Sequence, residues 1–199
     1  MSIRIYVEGG FEGSTKSNCR KAFGAFLGKV VPPGSFKVIA SGSRQHAFQD
    51  FCTALRQHTE DHIILLVDSE TAVAGTAWQH LSRRDGDNWS RPTSALDDQV
   101  HLMVQVMEAW FLADQHALST YYGQGFLRNS LPRQQNIELI DKERVFKALS
   151  HASKPTQKGE YHKTRQGFDL LELIDPNLVK TASSSVEILF KVLNSHSGI

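Results

Sequence analysis

The stretch HIILLVDSE, residues 62–70, contains the most apolar run in the chain and ends in two acidic residues. The run from His62 to Val67 is rich in β-branched and leucine side chains, which indicates a strand buried on both faces, as in a parallel sheet. Asp68 and Glu70 follow this strand directly. Functional groups collect beyond the carboxyl ends of parallel strands, so the stretch predicts both a central strand and an acidic site at its end.

A strand–helix alternation surrounds this stretch. We predict three more strands, at residues 3–7, 36–40 and 100–106, and three helices between them, at residues 14–29, 44–58 and 70–83. Strands that alternate with helices are typical of a parallel sheet covered by helices on its faces. The sequence therefore predicts an α/β fold with a Rossmann-like parallel sheet of about four strands flanked by helices.

The pattern changes in the second part of the chain. A helix opens at residues 108–114, and further helices are predicted at residues 143–150, 164–174 and 184–193, with no strands between them. We therefore predict two parts: residues 1–115 form the α/β core, and residues 116–199 form C-terminal helices packed on or beside that core.

Composition excludes several classes of protein. The 199 residues are 40% hydrophobic and 22% charged, which suits a folded domain with a real core rather than a disordered chain. A net charge of +1 means that any nucleic-acid binding must come from a local patch. Cys19 and Cys52 are too few for a disulfide framework. No apolar run reaches the ~18–20 residues that span a bilayer, and MSIRIYVEGG lacks the layout of a signal peptide, so we expect no membrane association and a cytoplasmic location.

Acidic residues follow three of the predicted strands. The first strand is followed by Glu8 and Glu12, the third by Asp68 and Glu70, and the fourth by Glu108. Carboxylate oxygens are hard ligands that suit Mg²⁺ or Mn²⁺. The alternative is that these acids are solvated strand ends. Because three acidic strand ends belong to one predicted sheet, we favour a divalent-metal site.

These motifs resemble a known family. VEGGFE, residues 7–12, matches the V-E-G-x-x-E opening of Toprim domains of the overcoming-lysogenization-defect (OLD) and RloB-like nuclease type, and Asp68-Ser-Glu70 stands where Toprim domains carry D-x-D. MEAWFLAD, residues 107–114, and GFDLLELIDP, residues 167–176, are similar to the family called domain of unknown function 4276, over nearly the whole chain. Two departures are Glu70, where Toprim domains have Asp, and Val73, where a Gly often follows.

The resemblance implies roles for individual residues. Glu8 is similar to the Toprim glutamate that acts as general acid or base in phosphodiester chemistry. Asp68 and Glu70 look like metal ligands, and Glu12 looks like a further ligand of the two-metal version. Glu108 is an auxiliary metal-binding acid in this interpretation, although it would serve equally well to cap the helix that follows.

The resemblance also implies a function. It is Mg²⁺- or Mn²⁺-dependent hydrolysis of DNA or RNA. The protein would be the effector of a bacterial system that defends against phage, with an AAA- or ABC-type ATPase as partner. One alternative is a non-catalytic subunit that binds such an ATPase. A second is a nucleotide-binding or primase-like role, since a Gly-rich loop at residues 9–16 precedes a helix, although it lacks the Gly-Lys-Ser/Thr order of a P-loop.

A basic segment in the C-terminal part is the candidate substrate-binding region. Lys158, Lys163 and Arg165 lie there with Tyr161 interleaved. Cations together with an aromatic ring suit a nucleic-acid backbone. A solvated helix face would have the same composition, and both interpretations stay open from sequence.

Overall fold

A parallel sheet forms the centre of the molecule. The computed structural model describes residues 2–32 and 34–197, and in these residues the sheet has four strands in the order β2-β1-β3-β4. The strands are β1 (Ile3–Val7), β2 (Phe36–Ala40), β3 (His62–Asp68) and β4 (Val100–Met103). Each neighbouring pair is parallel. This confirms the predicted α/β class and the predicted parallel sheet of about four strands.

The register of the sheet decides which side chains meet at its carboxyl edge. Val7 of β1 pairs with Leu66 of β3, so Glu8, the next residue, is level with the last residues of β3. Asp68 of β3 in turn pairs with Met103 of β4. All seven positions of β3 are buried, which explains the continuous apolar run.

Helices cover both faces of the sheet. They are α1 (Gly13–Leu27), α2 (Arg44–Gln57), α3 (Ala77–Arg83), α4 (Gln115–Tyr122), α5 (Lys142–Ser153), α6 (Lys163–Leu173), α7 (Pro176–Ala182) and α8 (Ser184–His196). α1 lies on one face with the C-terminal helices and contributes Phe26, which stacks on Trp110 with 5.1 Å between ring centroids. α2 and α3 lie on the other face, where Phe51 packs near Trp78.

Short 3₁₀ helices connect these elements at Asp97–Gln99, Met107–Ala113, Arg128–Ser130 and Ile137–Leu139. The C-terminal helices share one hydrophobic core with β1, β3 and α1, so they are packed on the sheet. In the described part of the chain, no helix has the length and apolar character that crossing a membrane requires.

The prediction of a helix over residues 70–83 is wrong in its first half. Glu70 has a left-handed backbone with φ 68°, and the helix begins only at Ala77, after the Thr76 side chain accepts a hydrogen bond from the Gln79 amide. The fourth strand ends at Met103 rather than at residue 106, and residues 107–113 form a 3₁₀ helix. Two helices, α4 and α7, were not predicted, since both are short, although the Asp175 N-cap followed by Pro176 at the first helical position was a usable signal for α7.

Candidate metal centre at the carboxyl edge of the sheet

Three acidic side chains converge where β1 and β3 end. Within the described residues, Glu8, Asp68 and Glu70 each offer a carboxylate oxygen, and these oxygens lie within 4.8 Å of one another. We call these three residues the carboxylate cluster. The sequence predicted that they would lie together, because parallel strands bring their carboxyl ends to one edge, and the structure confirms this proximity.

Asp68 is the buried member of the carboxylate cluster. It is 1% exposed, and its Oδ1 accepts a hydrogen bond from the amide of Met107 at 2.8 Å. The ammonium of Lys163, the first residue of α6, lies 3.6 Å from Oδ2. Since one oxygen is fixed by the backbone, the other remains available in the cluster.

Glu8 is held by an arginine that the sequence analysis did not single out. Nη1 of Arg44 donates to Glu8 Oε2 at 3.2 Å and to the main-chain carbonyl of Asp68 at 2.5 Å. Asp87 accepts from Arg44 Nε at 2.8 Å and from Nη2 at 2.7 Å. The guanidinium carbon also lies 5.1 Å from the centroid of the Trp89 ring. This fork fixes Arg44, so its remaining nitrogen is presented to the carboxylate cluster.

Glu70 reaches the cluster from a turn. Its left-handed backbone follows the end of β3, and its amide donates to the carbonyl of Gln105 at 2.7 Å. Its carboxylate accepts a hydrogen bond from the ammonium of Lys142, the first residue of α5. Glu70 is therefore anchored at both its backbone and its side chain.

Glu108 lies beside the cluster and is fully buried. Its Oε1 accepts from the hydroxyl of Tyr161 at 3.1 Å and lies 3.7 Å from Lys163 Nζ. Its Oε2 has no hydrogen-bond partner among the described residues. Lys163 thus bridges Glu108 to Asp68, so Glu108 is linked to the cluster through a cation.

The electrostatics of the site favour positive charge. Burial raises the pKa of Glu8 to about 8, the charge of Asp68 adds to this shift, and Arg44 opposes it. Burial likewise raises the pKa of Asp68 and of Glu108, against the opposing charge of Lys163. Burial disfavours the charged form of Lys163, but the surrounding carboxylates outweigh it and its pKa lies above the usual value. Because burial disfavours the charged form of these carboxyl groups, a cation bound beside them would stabilise their ionised forms.

The donor set fits a hard divalent cation. Carboxylate oxygens are the ligands that Mg²⁺ and Mn²⁺ prefer, and Mg²⁺ commonly takes one or two of them and completes its shell with water and phosphate. Asp68 and Glu70 would hold such an ion, with Glu8 beside it. Glu108, whose Oε1 lies 3.7 Å from Lys163 Nζ, also has a buried Oε2 without a hydrogen-bond partner among the described residues, which is a further oxygen beside the cluster.

Other residues predicted for the site lie outside the carboxylate cluster. Glu12 is the exposed N-cap of α1, where Thr15 bonds to its backbone. Lys158 is exposed and its ammonium lies 4.5 Å from the centroid of the Tyr121 ring, and Arg165 is exposed on α6. Of the three predicted substrate-binding cations, Lys163 alone touches buried acids of the site. The roles of all these residues stay predictions.

Three residues that hold the site, Arg44, Lys142 and Asp87, were not predicted from the sequence. Arg44 follows Ser41-Gly42-Ser43 at the end of β2, and this position on the carboxyl edge was a usable signal. Lys142 and Asp87 reach the site only through the folding of distant loops, and no local pattern marks them.

Two cavities meet at Glu70. A pocket of about 270 Å³ is lined by Glu8, Asp68, Glu70 and Lys163, with the side chain of Phe11, 73% exposed, at its lip. A larger groove of about 1100 Å³ runs from Glu70 along α5. Its basic side chains are Arg133, Lys142, Arg144, Lys147 and His151.

Comparison with known proteins gives one family. No curated protein and no solved structure matched the chain. The model of the family described as domain of unknown function (DUF4276) matches residues 7–194. Since this match covers nearly the whole chain, the protein belongs to the DUF4276 family.

Proposed function

We propose that this protein is a Mg²⁺- or Mn²⁺-dependent nuclease of the Toprim type, similar to the OLD and RloB-like enzymes, that hydrolyses phosphodiester bonds of DNA or RNA. The observation that carries the proposal is the convergence of Glu8, Asp68 and Glu70 within 4.8 Å at the carboxyl edge of a parallel sheet. Their order along the chain and the VEGGFE motif resemble those of Toprim domains, with Glu70 in place of the second Asp of D-x-D.

A divalent cation would serve phosphodiester hydrolysis at the carboxylate cluster. A divalent ion held by Asp68 and Glu70 would polarise a phosphoryl oxygen and offset the negative charge that develops during displacement. Lys163, whose ammonium lies 3.6 Å from Asp68 Oδ2, favours the ionised form of Asp68, which is the form that binds a cation.

Glu8 is the residue we assign to proton transfer. It lines the pocket beside Asp68, and its pKa of about 8 places its titration near neutral pH, where a general acid or base works best. Arg44 contacts Glu8 Oε2 and is held by the buried Asp87 carboxylate. A fixed guanidinium beside the reacting group can stabilise negative charge on a phosphoryl group.

The groove along α5 is the path we assign to the nucleic-acid strand. Arg133 and Arg144 form no salt bridge with any described residue, so both are free to contact phosphates. At the other side of Glu70, the exposed ring of Phe11 can stack on a base. An ATPase of the AAA or ABC class, acting with this protein in defence, is the partner that the resemblance to OLD-type nucleases implies.

A cleavage assay tests the proposal. The chain, stripped of metals, is incubated with single- and double-stranded DNA and with RNA, with Mg²⁺, Mn²⁺ or chelator. We expect cleavage only with a divalent ion, and a loss of about 10²–10⁴-fold in Glu8→Gln, since that substitution keeps shape but removes proton transfer.

Glu172→Gln is the matched control, because Glu172 pairs with Lys21 on the surface, away from the site. Cleavage by Glu8→Gln at the parental rate would assign the activity elsewhere. A parent inactive on every substrate would contradict the nuclease proposal and favour the non-catalytic subunit.

A further inference from the structure

A second cluster of metal-ligating side chains lies at the amino edge of the sheet. Within the described residues, His62, Asp98 and His196 each offer one ligand atom, and these atoms lie within 4.8 Å of one another. His62 begins β3, Asp98 lies in the 3₁₀ helix before β4, and His196 ends α8. We call these three residues the histidine cluster. Because Asp68 is at the opposite end of β3, the histidine cluster is separate from the carboxylate cluster.

Two atoms of the histidine cluster are buried without a partner. His62 is 5% exposed, and its Nε2 has no hydrogen-bond partner in the described part of the chain. Asp98 Oδ1 is buried and equally unpartnered there. A proton on His62 Nε2 could satisfy both atoms, but no hydrogen bond joins them. Buried polar groups in native proteins nearly always have a partner, and two such atoms in one cluster point to a ligand that both share.

Hydrogen bonds to main-chain carbonyls set the tautomer of His196 and hold the segment that carries Asp98. His196 Nδ1 lies 3.0 Å from the carbonyl of Val192 and donates to it, which leaves the lone pair on Nε2. His101 is buried, and its Nε2 donates to the main-chain carbonyl of Asp98 at 2.9 Å, which holds that segment in place. Hydrogen bonds from the second ring nitrogen to a carbonyl are typical of histidines that ligate metals.

We propose that His62, Asp98 and His196 bind a transition-metal ion of the zinc class. Imidazole nitrogen suits Zn²⁺, Ni²⁺ and Cu²⁺, whereas Mg²⁺ takes oxygen. Three protein ligands and one open position are a common zinc arrangement. The imidazole rings of His62 and His196 are stacked, with centroids 3.7 Å apart and an angle of 11° between planes. Binding turns the half-buried His196 ring so that both lone pairs point at the ion.

A cavity gives access to the histidine cluster, and an ion bound there would affect the packing of α8. A cavity of about 440 Å³ opens beside His62 and His196, with room for a water ligand. α8 already packs against β4, and an ion bound by residues of α8, β3 and the segment before β4 ties the end of the terminal helix to the sheet. The bound ion therefore stabilises the docking of α8.

Titration with Zn²⁺ alone tests the proposal on the untagged, chelator-stripped full chain. Calorimetry should show Zn²⁺ binding that weakens at least tenfold in His196→Gln, because one nitrogen ligand is lost. Tm should rise by about 5–10 °C at a hundredfold excess of Zn²⁺ over its Kd. Co²⁺ should give a visible absorption band that requires His196.

Two variants control for binding elsewhere. His116→Gln removes an exposed histidine outside both clusters and should bind Zn²⁺ like the parent. Asp68→Asn disrupts the carboxylate cluster and should leave the Co²⁺ band intact, which separates this proposal from the proposed nuclease function. A parent that binds no Zn²⁺, or a His196→Gln variant with parental affinity and parental Co²⁺ absorption, would overturn the proposal.

Discussion

The two ends of β3 carry different chemistry on one strand. At its carboxyl end, Asp68 lies beside the carboxylates of Glu8 and Glu70 and near the ammonium of Lys163. At its amino end, His62 stacks on a second imidazole, that of His196. The seven residues of the strand separate the two ends by about 20 Å. The carboxylate cluster suits a hard cation and the histidine cluster a softer one.

The C-terminal helices contribute side chains to both ends of β3. α6 brings Lys163 to the carboxyl edge, and α8 brings His196 to the amino edge. Both helices share the core of the sheet through buried residues such as Leu170 and Leu189. Residues beyond the α/β alternation therefore complete both ends of the strand, and the C-terminal part is integral to both candidate sites.

Metal selectivity should separate the two ends most strongly. In Asp68→Asn/Glu70→Gln, Mn²⁺ affinity should fall by about 100-fold or more, because two charged ligands become neutral while side-chain shape is kept. The same variant should bind Zn²⁺ at the histidine cluster as the parent does. Calorimetry with each ion measures both effects, and unchanged Mn²⁺ affinity would remove Asp68 and Glu70 as ligands.

The two ends should respond to pH with opposite signs. The pKa of Glu8, about 8 in the folded protein, is above its unfolded value, so its contribution to stability is present below pH ~4.3 and is lost as pH rises through 8. His101 at the amino edge has a pKa lowered by burial to about 4, so its contribution is lost as pH falls below ~6.5.

Thermal unfolding in chelator measures this difference. The Tm of the parent should fall as pH rises from 5 to 8. In Glu8→Gln this fall should be smaller by about 5 °C or more, since each unit of pKa shift corresponds to ~1.4 kcal/mol. The Tm of the parent should also fall as pH drops from 6.5 to 4.5, and this fall should be smaller in His101→Gln. Parallel pH profiles in parent and Glu8→Gln would contradict a raised pKa of Glu8 in the folded protein.

Loss of Lys163 should affect the carboxyl edge alone. In Lys163→Met, Asp68 and Glu108 lose their cation, so Tm in chelator should fall by a few degrees and Mn²⁺ should restore it. Lys158→Met is the matched control, since Lys158 is exposed and its ammonium lies over the Tyr121 ring, away from the acids of the site. A fall in Tm that Mn²⁺ does not reverse would indicate a purely structural role for Lys163.

A substitution in the groove along α5 should have the smallest effect, a modest loss of nucleic-acid affinity. Arg144→Ala should weaken nucleic-acid binding a few-fold and reduce the slope of log K against log salt by about one, the amount expected for one lost phosphate contact. Fluorescence anisotropy at several salt concentrations measures the slope. The control is Arg83→Ala on α3, which lies on the other face of the sheet. Equal slopes for the two variants would mean that the nucleic acid does not bind in the groove along α5.

Local patterns predicted the carboxyl edge better than the amino edge. β3 is visible as an apolar run, and its register with β1 follows from parallel pairing, so the meeting of Glu8 with Asp68 could be inferred. Arg44, Asp87 and Lys142 come from loops and helix starts whose paths depend on tertiary packing. The histidine cluster joins residues 62, 98 and 196, and sequence spacing carries no information about such contacts.

Anomalous diffraction from crystals soaked in Mn²⁺ tests the central claim most directly. Data collected at the manganese absorption edge should show a peak bounded by the carboxylates of Glu8, Asp68 and Glu70, with the Lys142 ammonium displaced from Glu70. The peak should vanish in Asp68→Asn/Glu70→Gln crystals. A well-ordered parent crystal that shows no peak among these three residues at saturating Mn²⁺ would contradict a divalent-metal centre at the carboxyl edge.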